Sequence, residues 1–233
     1  MNETRKATQF YQGYVNTANC ERVLPMSKFL SEFAFRFHFN GKRDWGNCID
    51  FGGSAGYKTA MLKDVLVVEI DESARKMMKQ RGIRCAARID SVKDGSVDTL
   101  YCAHVLEHLE SPSEYLKLFH RKLKKDGILI IVLPLELQFT WSPSELDPNG
   151  HLYAWIPVNI HTLLHRMGYS VSTSKCTTLP ALARVIGLKA YAALIDFSPS
   201  RIVLLIIKTI LVLLLPSKYR VIGELVVTAK KLK

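Results

Sequence analysis

Residues 48–56 read C-I-D-F-G-G-S-A-G. An apolar run ends in the acid Asp50, small residues crowd a tight turn, and Y-K-T-A-M-L (residues 57–62) follows. This order predicts a strand, a glycine-rich turn and the start of a helix. Missing side chains let a ligand lie against bare backbone, with a helix N-terminus beside it. The next apolar run, V-L-V-V-E-I (residues 65–70), ends at Asp71, nineteen residues after Gly52. An acid at the tip of the second strand of such a unit is placed to accept hydrogen bonds from two ribose hydroxyls. Turn, spacing and acid together predict a site for a nucleoside-containing ligand.

Farther out, strand-like runs alternate with helical patterns. Strands are predicted at 47–51, 65–70, 83–89, 98–102 and 127–133, with helices between them. That alternation implies a mainly parallel sheet covered on both faces. Ligands of such sheets sit at the carboxyl ends of the strands, and Gly52, Asp71, Asp90 and His104 all follow strand ends. A helix is predicted from Pro157 to Met167, stopped by Gly168, then strands at 169–176 and 223–229.

These residues resemble the class I S-adenosylmethionine-dependent methyltransferases. The family's first motif is an apolar strand, an acid and G-x-G-x-G. Asp50, Gly52, Ser54 and Gly56 fall on those positions, Ser54 standing where the family has its middle glycine. Asp71 matches the ribose-binding acid, and Asp90 the acid near the adenine. H-V-L-E-H-L (residues 104–109) matches the V-L-E-H-L signature of many small-molecule members, and G-I-L-I-I-V-L-P (residues 127–134) their fifth strand. The resemblance runs from about residue 47 to 171. It implies an α/β, Rossmann-like, mostly parallel seven-stranded sheet with helices on both faces, closed by antiparallel strands. It also implies S-adenosyl-L-methionine as cofactor, held by Asp50, Gly52, Gly53, Ser54, Gly56, Asp71, Glu72, Asp90, Ser91 and His104.

The chain has 233 residues, 48% of them hydrophobic, which suits one domain with an appended element. Residues 1–44 are read as a helical cap and 45–233 as the methyltransferase domain. The cap is rich in aromatics. It is expected to pack on the sheet, the alternative being a lid that brings Tyr11 or Tyr14 to the ligand. Five scattered cysteines without C-x-x-C indicate reduced, buried thiols in a cytoplasmic protein. The first ten residues lack the apolar core of a secretory signal.

Net charge is +11, and ten Lys or Arg against two acids lie between Lys175 and Lys233. An apolar insert occupies residues 181–220. Its core, I-V-L-L-I-I-K-T-I-L-V-L-L-L (residues 202–215), is shorter than the ~20 residues a spanning helix needs. Basic residues flank it, which suits an anionic membrane surface; a buried core helix or a dimer seam has the same composition. Because the basic region is aliphatic rather than interleaved with aromatics, nucleic acid is not the expected partner.

Methyl transfer needs an acceptor held in line and, for a hydroxyl acceptor, a group that takes its proton. Histidine titrates near neutrality, so His104, His108 and His151 are the catalytic candidates. Some members of the wider family bind a divalent cation through E-x-x-E-H and a later histidine. This chain has His104 in the first position, and Glu107 and His108 are read as ordering the turn, with no metal expected. The function expected is methylation, preferably O-methylation of a small, lipid-linked or glycan-linked acceptor. An RNA methyltransferase and a non-catalytic cofactor-binding module are the alternatives.

Overall fold

The protein is described as a computed structural model, covering residues 27–136, 150–178 and 221–232. Tyr11 and Tyr14, residues 137–149 of the long connection after the fifth strand, and the whole 181–220 insert lie outside the described residues.

Seven strands form one sheet in the order β3-β2-β1-β4-β5-β7-β6. They are β1 (Cys48–Phe51), β2 (Val65–Val68), β3 (Cys85–Ala86), β4 (Val97–Ala103), β5 (Leu123–Glu136), β6 (Tyr169–Thr178) and β7 (Val221–Lys231). β1 pairs in parallel with β2 and β4, and β4 with β5. β7 lies antiparallel to both β5 and β6. Only β7 therefore runs against the rest, and β6 shares the direction of β5. The order reverses at β1, so a crevice opens beyond the ends of β1 and β4, where doubly wound sheets bind ligands.

Alternation along β5 builds both faces. Leu129, Ile131 and Leu133 join Ile49, Leu100, Cys102 and Val227 in one core. Helices α3 (Pro112–Lys122) and α4 (Pro157–Arg166) cover it through Leu116, Phe119, Ile160 and Leu164. Ile130 and Val132 point the other way, to Tyr101, Ala103 and Val226, where Ala34 of α1 (Ser27–Phe37) and Phe39 pack. Each large buried side chain of this kind contributes about 1.5–3 kcal/mol. The described part of the N-terminal region thus packs on the sheet, and Leu30 of α1 also reaches a cavity beyond the end of β1. The helix stop predicted at Gly168 is present, with φ +83°.

Two expectations need correction. No helix follows the glycine turn: residues 57–64 form a chain of turns, with Ala60 N bonded to Tyr57 O and Leu62 N to Thr59 O. The cause is local. The Thr59 hydroxyl donates to Asp50 at 2.8 Å, Lys63 N is drawn to Arg43 O, and β2 already begins at Val65. The first helix of the unit is instead α2 (Glu72–Gln80), after β2. The third strand, expected over 83–89, is only Cys85–Ala86, followed by a short 3-10 turn at Ile89–Ser91. It is a sheet edge with a single neighbour, where strands are commonly short.

Candidate functional site

Beyond β1 the backbone turns through Gly52, Ser54 and Gly56 in left-handed conformation, with φ +70°, +51° and +74°. Gly52 N donates to Val68 O at 2.8 Å, which holds the turn against β2. A Cβ on Gly52 would lie 2.3 Å from Val105 Cγ2, so only glycine fits between the turn and the chain after β4. Ser54 accepts the strain of a left-handed residue, about 1–2 kcal/mol. Its N–H is anchored on Glu69 Oε2 at 2.8 Å. Because no helix starts at this turn, a ligand would meet exposed backbone without a helix dipole behind it.

A cavity of about 530 Å³ opens over the turn, within the size range of small-molecule sites. Of the residues singled out in the sequence, Asp50, Gly52, Gly53, Ser54, Asp90, His104 and His108 line it. Gly56, Asp71, Glu72, Ser91 and His151 are not in its wall. Asp71 is the N-cap of α2, its Oδ1 accepting from Ala74 N at 2.7 Å. Glu69, two residues earlier, takes the wall position. Only 4% exposed, it accepts from Ser54 N and, at 3.0 Å, from Asp71 N. Burial pushes its carboxyl pKa up, against the pull of those backbone bonds. Sequence reasoning passed over Glu69, although an acid inside V-L-V-V-E-I was a visible signal. Asp90 lies in the wall with Arg88 forked onto its Oδ2 at 2.8 and 2.9 Å.

Asp50 is 1% exposed, and burial pushes its pKa up to about 6, despite the Thr59 hydrogen bond and the charge of Lys58. An acid with a raised folded pKa leaves the folded state holding the extra proton. The contribution of Asp50 to stability is then most favourable on the acid side and is lost as pH climbs from the ordinary carboxylate value to about 6. The loss is on the order of 3 kcal/mol. Asp50→Asn removes this dependence. The stability of the variant relative to wild type, without ligand, should therefore grow by about 2–3 kcal/mol between pH 4 and 7.5. Urea unfolding at the two pH values measures it, and a pH-independent difference would mean that Asp50 carries no such cost.

The histidines gather on the other side of the cavity. His104 occupies the turn after β4 with φ +57°, its N–H bonded to Val132 O. Non-glycine residues held in this region cluster at functional sites. Its Nε2 lies 2.7 Å from Glu224 Oε1 of β7, and its Nδ1 lies 3.6 Å from Glu107 Oε1, an ion-pair rather than a hydrogen-bond distance. Burial and Lys58 pull the His104 pKa down, but the two carboxylates outweigh them and raise it above the ordinary histidine value. Glu107 is fully buried, and among the described residues neither of its oxygens finds a hydrogen-bond partner. Its pKa falls despite burial, because His104 stabilises the carboxylate. His108 gives Nδ1 to Gly150 O at 3.2 Å, and its ring packs 4.8 Å from that of His151. Leu152 N and Tyr153 N both bind Glu107 O, which draws His151 to this place. Glu107, His108 and His151 bring three donor atoms within 4.8 Å of one another. Glu224 and His38, which stand behind His104, were not foreseen from sequence.

A family model described as a methyltransferase domain matches residues 11–174. Solved structures share the fold. An S-adenosylmethionine-dependent methyltransferase from Thermotoga maritima is 16% identical with TM-score 0.60, over 92% of this chain and 95% of that one. The 1,6-didemethyltoxoflavin-N1-methyltransferase of Burkholderia thailandensis, solved with S-adenosylhomocysteine, is 15% identical with TM-score 0.58, over 97% and 87%. A methyltransferase from Mesorhizobium loti is 14% identical with TM-score 0.56, over 87% and 100%. No curated protein matches the chain in sequence.

Proposed function

We propose that this chain, which belongs to the methyltransferase domain family, is an S-adenosylmethionine-dependent methyltransferase whose acceptor presents a hydroxyl group. The observation that carries the hydroxyl reading is His104, an imidazole in the cavity wall backed by two carboxylates. Such a group can take a proton and keep the resulting charge. An acceptor of small, lipid-linked or glycan-linked type agrees with the ends of the apolar insert. The chain leaves β6 at Thr178 and returns at Val221, at the end of the sheet where Glu224 reaches His104.

The residues present fit an adenosyl sulfonium cofactor. Gly52 and Gly53 leave bare backbone, and Glu69 offers a buried carboxylate beside it. Asp90 lies farther along the same wall. When bound, S-adenosylmethionine supplies an electrophilic methyl group. The protein's part is to hold the acceptor oxygen in line, exclude water and receive the proton on His104. Glu69 takes the ribose hydroxyls in this reading, and Asp71 is left to cap α2.

Calorimetry with S-adenosylhomocysteine and with NAD tests the cofactor. The first should bind and the second should not; equal binding of both overturns the reading. Glu69→Ala should weaken S-adenosylhomocysteine by about 1.5–3 kcal/mol, the range for bonds to a charged group. Asp71→Ala should cost about 1 kcal/mol of stability as a lost cap, with little change in affinity. The reverse ranking would return the ribose to Asp71. Methyl-labelled S-adenosylmethionine, offered with a panel of phenols and lipid-linked sugars, should place the label in an ether. Label found solely on nitrogen or RNA excludes the hydroxyl acceptor.

A further inference from the structure

Behind His104 lies a chain of polar groups that joins β4, β6, β7 and the segment after α1. Glu224 of β7 uses both carboxylate oxygens on histidines: Oε1 on His104 Nε2 at 2.7 Å and Oε2 on His38 Nε2 at 2.9 Å. His38, just after α1 and 2% exposed, places its Nδ1 2.8 Å from the hydroxyl of Tyr101 on β4. Thr177 of β6 stands 3.4 Å from Glu224 Oε2. The side chain of Glu224 is 12% exposed. A carboxylate held between two imidazoles beside the apolar run Leu225-Val226-Val227 is not required for packing, since those three side chains already fill both faces.

The donors and acceptors of this chain agree in only one direction. Burial holds the Tyr101 phenol well above its ordinary pKa, so it keeps its proton and donates to His38 Nδ1. Burial also lowers His38, leaving it neutral, so its single ring proton is on Nε2 and is given to Glu224. Glu224, charged between its two partners, accepts only. His104 must then present Nε2–H to Oε1. Once His104 is neutral, its other nitrogen, Nδ1, is left as the lone-pair atom. Lys58 and Glu107 also act on His104, Glu107 standing 3.6 Å from Nδ1.

We propose that Glu224 is a positioning residue that fixes His104 in its Nε2–H tautomer, so that Nδ1 is the atom that receives a proton, with His38 and Tyr101 holding Glu224 in turn. The turnover part of this assignment rests on the hydroxyl-methylation reading; the tautomer part does not. No bond to carbon forms or breaks at Glu224, and the proton taken by Nδ1 leaves the Nε2 proton where it was. A partner that sets which imidazole nitrogen is protonated is the second layer of a site, and losing such a partner commonly lowers activity ten- to a hundredfold.

Nitrogen-15 spectra of the imidazoles at alkaline pH, with the His104 signals assigned by their loss in His104→Gln, read the tautomer directly and need no substrate. Wild-type His104 should be the Nε2–H form. Glu224→Leu removes both acceptor oxygens at similar volume, and the His104 proton should then distribute over both nitrogens. Glu224→Gln keeps one acceptor for two donors and should give a smaller shift. With S-adenosylmethionine and a hydroxyl acceptor, Glu224→Leu should lower kcat about ten- to a hundredfold with the cofactor Kd unchanged. In a His104→Ala background it should cost nothing further, because its effect passes through His104. The proposal is overturned if wild-type His104 carries its proton on Nδ1, or if folded Glu224 variants leave its spectrum unchanged. If neither variant folds, Glu224→Asp, which draws the carboxylate back by one methylene, supplies the comparison, and an unchanged His104 spectrum in it overturns the proposal. Should His104→Ala keep full turnover while the spectra behave as expected, the hydroxyl reading falls and the tautomer assignment stands.

Discussion

Gly52→Ala is expected to reduce S-adenosylhomocysteine affinity by at least about a hundredfold, some 2.7 kcal/mol. Two costs act at one atom. The residue sits at φ +70°, where a side chain costs about 1–2 kcal/mol. The added Cβ would also lie 2.3 Å from Val105 Cγ2, far inside contact distance. Val105 follows His104 and lines the same cavity, so it cannot retreat without changing the wall. Val105→Ala in the same chain removes the collision and leaves the backbone strain. The double variant should therefore recover about half of the lost binding energy. Calorimetry on folded variants measures both. A single variant that binds like wild type would show that the ligand does not depend on this turn.

The parts of this protein that repeat along the chain were readable in it. The apolar run of residues 127–134 marked the fifth strand, and a mostly parallel seven-stranded sheet followed from the resemblance built around residues 47–171; the strand order and the facing of the β5 side chains came from the structure. The turn of Gly52 and Gly56 was readable because positive φ admits few residues other than glycine. Failures came where a side chain overrode a local pattern. Y-K-T-A-M-L has good helix formers, yet the bond of Thr59 to Asp50 and the nearness of β2 leave room only for turns. Asp71 is a different case: it has the spacing expected of a ribose acid, and the structure uses its Oδ1 as the N-cap of α2.

The group behind His104 could not be read in the same way. His38 and Glu224 meet across 186 residues, and His104 and Glu224 across 120. No spacing rule links such positions. The one cue was compositional: Glu224 is the sole acid in the apolar run of β7, V-I-G-E-L-V-V-T-A. An acid in a central strand must find partners when it folds inward, but only the sheet order tells which ones. Glu69 inside β2's run carried the same cue. Both readings of an isolated acid in a strand, surface or site, are open until the neighbouring strands are known.

Removing the imidazole at His104 is the change expected to affect turnover most. With a hydroxyl acceptor, His104→Ala should lower kcat by roughly 10²–10⁴, the usual contribution of a positioned proton acceptor, while the cofactor Kd barely moves. The pH dependence follows from the raised pKa of this group. A histidine accepts a proton only when neutral. Wild-type kcat/KM should therefore rise with pH, with its midpoint above the ordinary histidine value, and His104→Ala should lose that limb. Stability moves the opposite way. A histidine raised in the folded state contributes most below its unfolded pKa, and the contribution fades as pH climbs through the folded one. The alanine variant should thus lose stability mainly on the acid side, where wild type has an imidazolium between Glu107 and Glu224. A flat wild-type profile, or a variant with unchanged kcat, would remove His104 from proton transfer and leave an acceptor that needs no base.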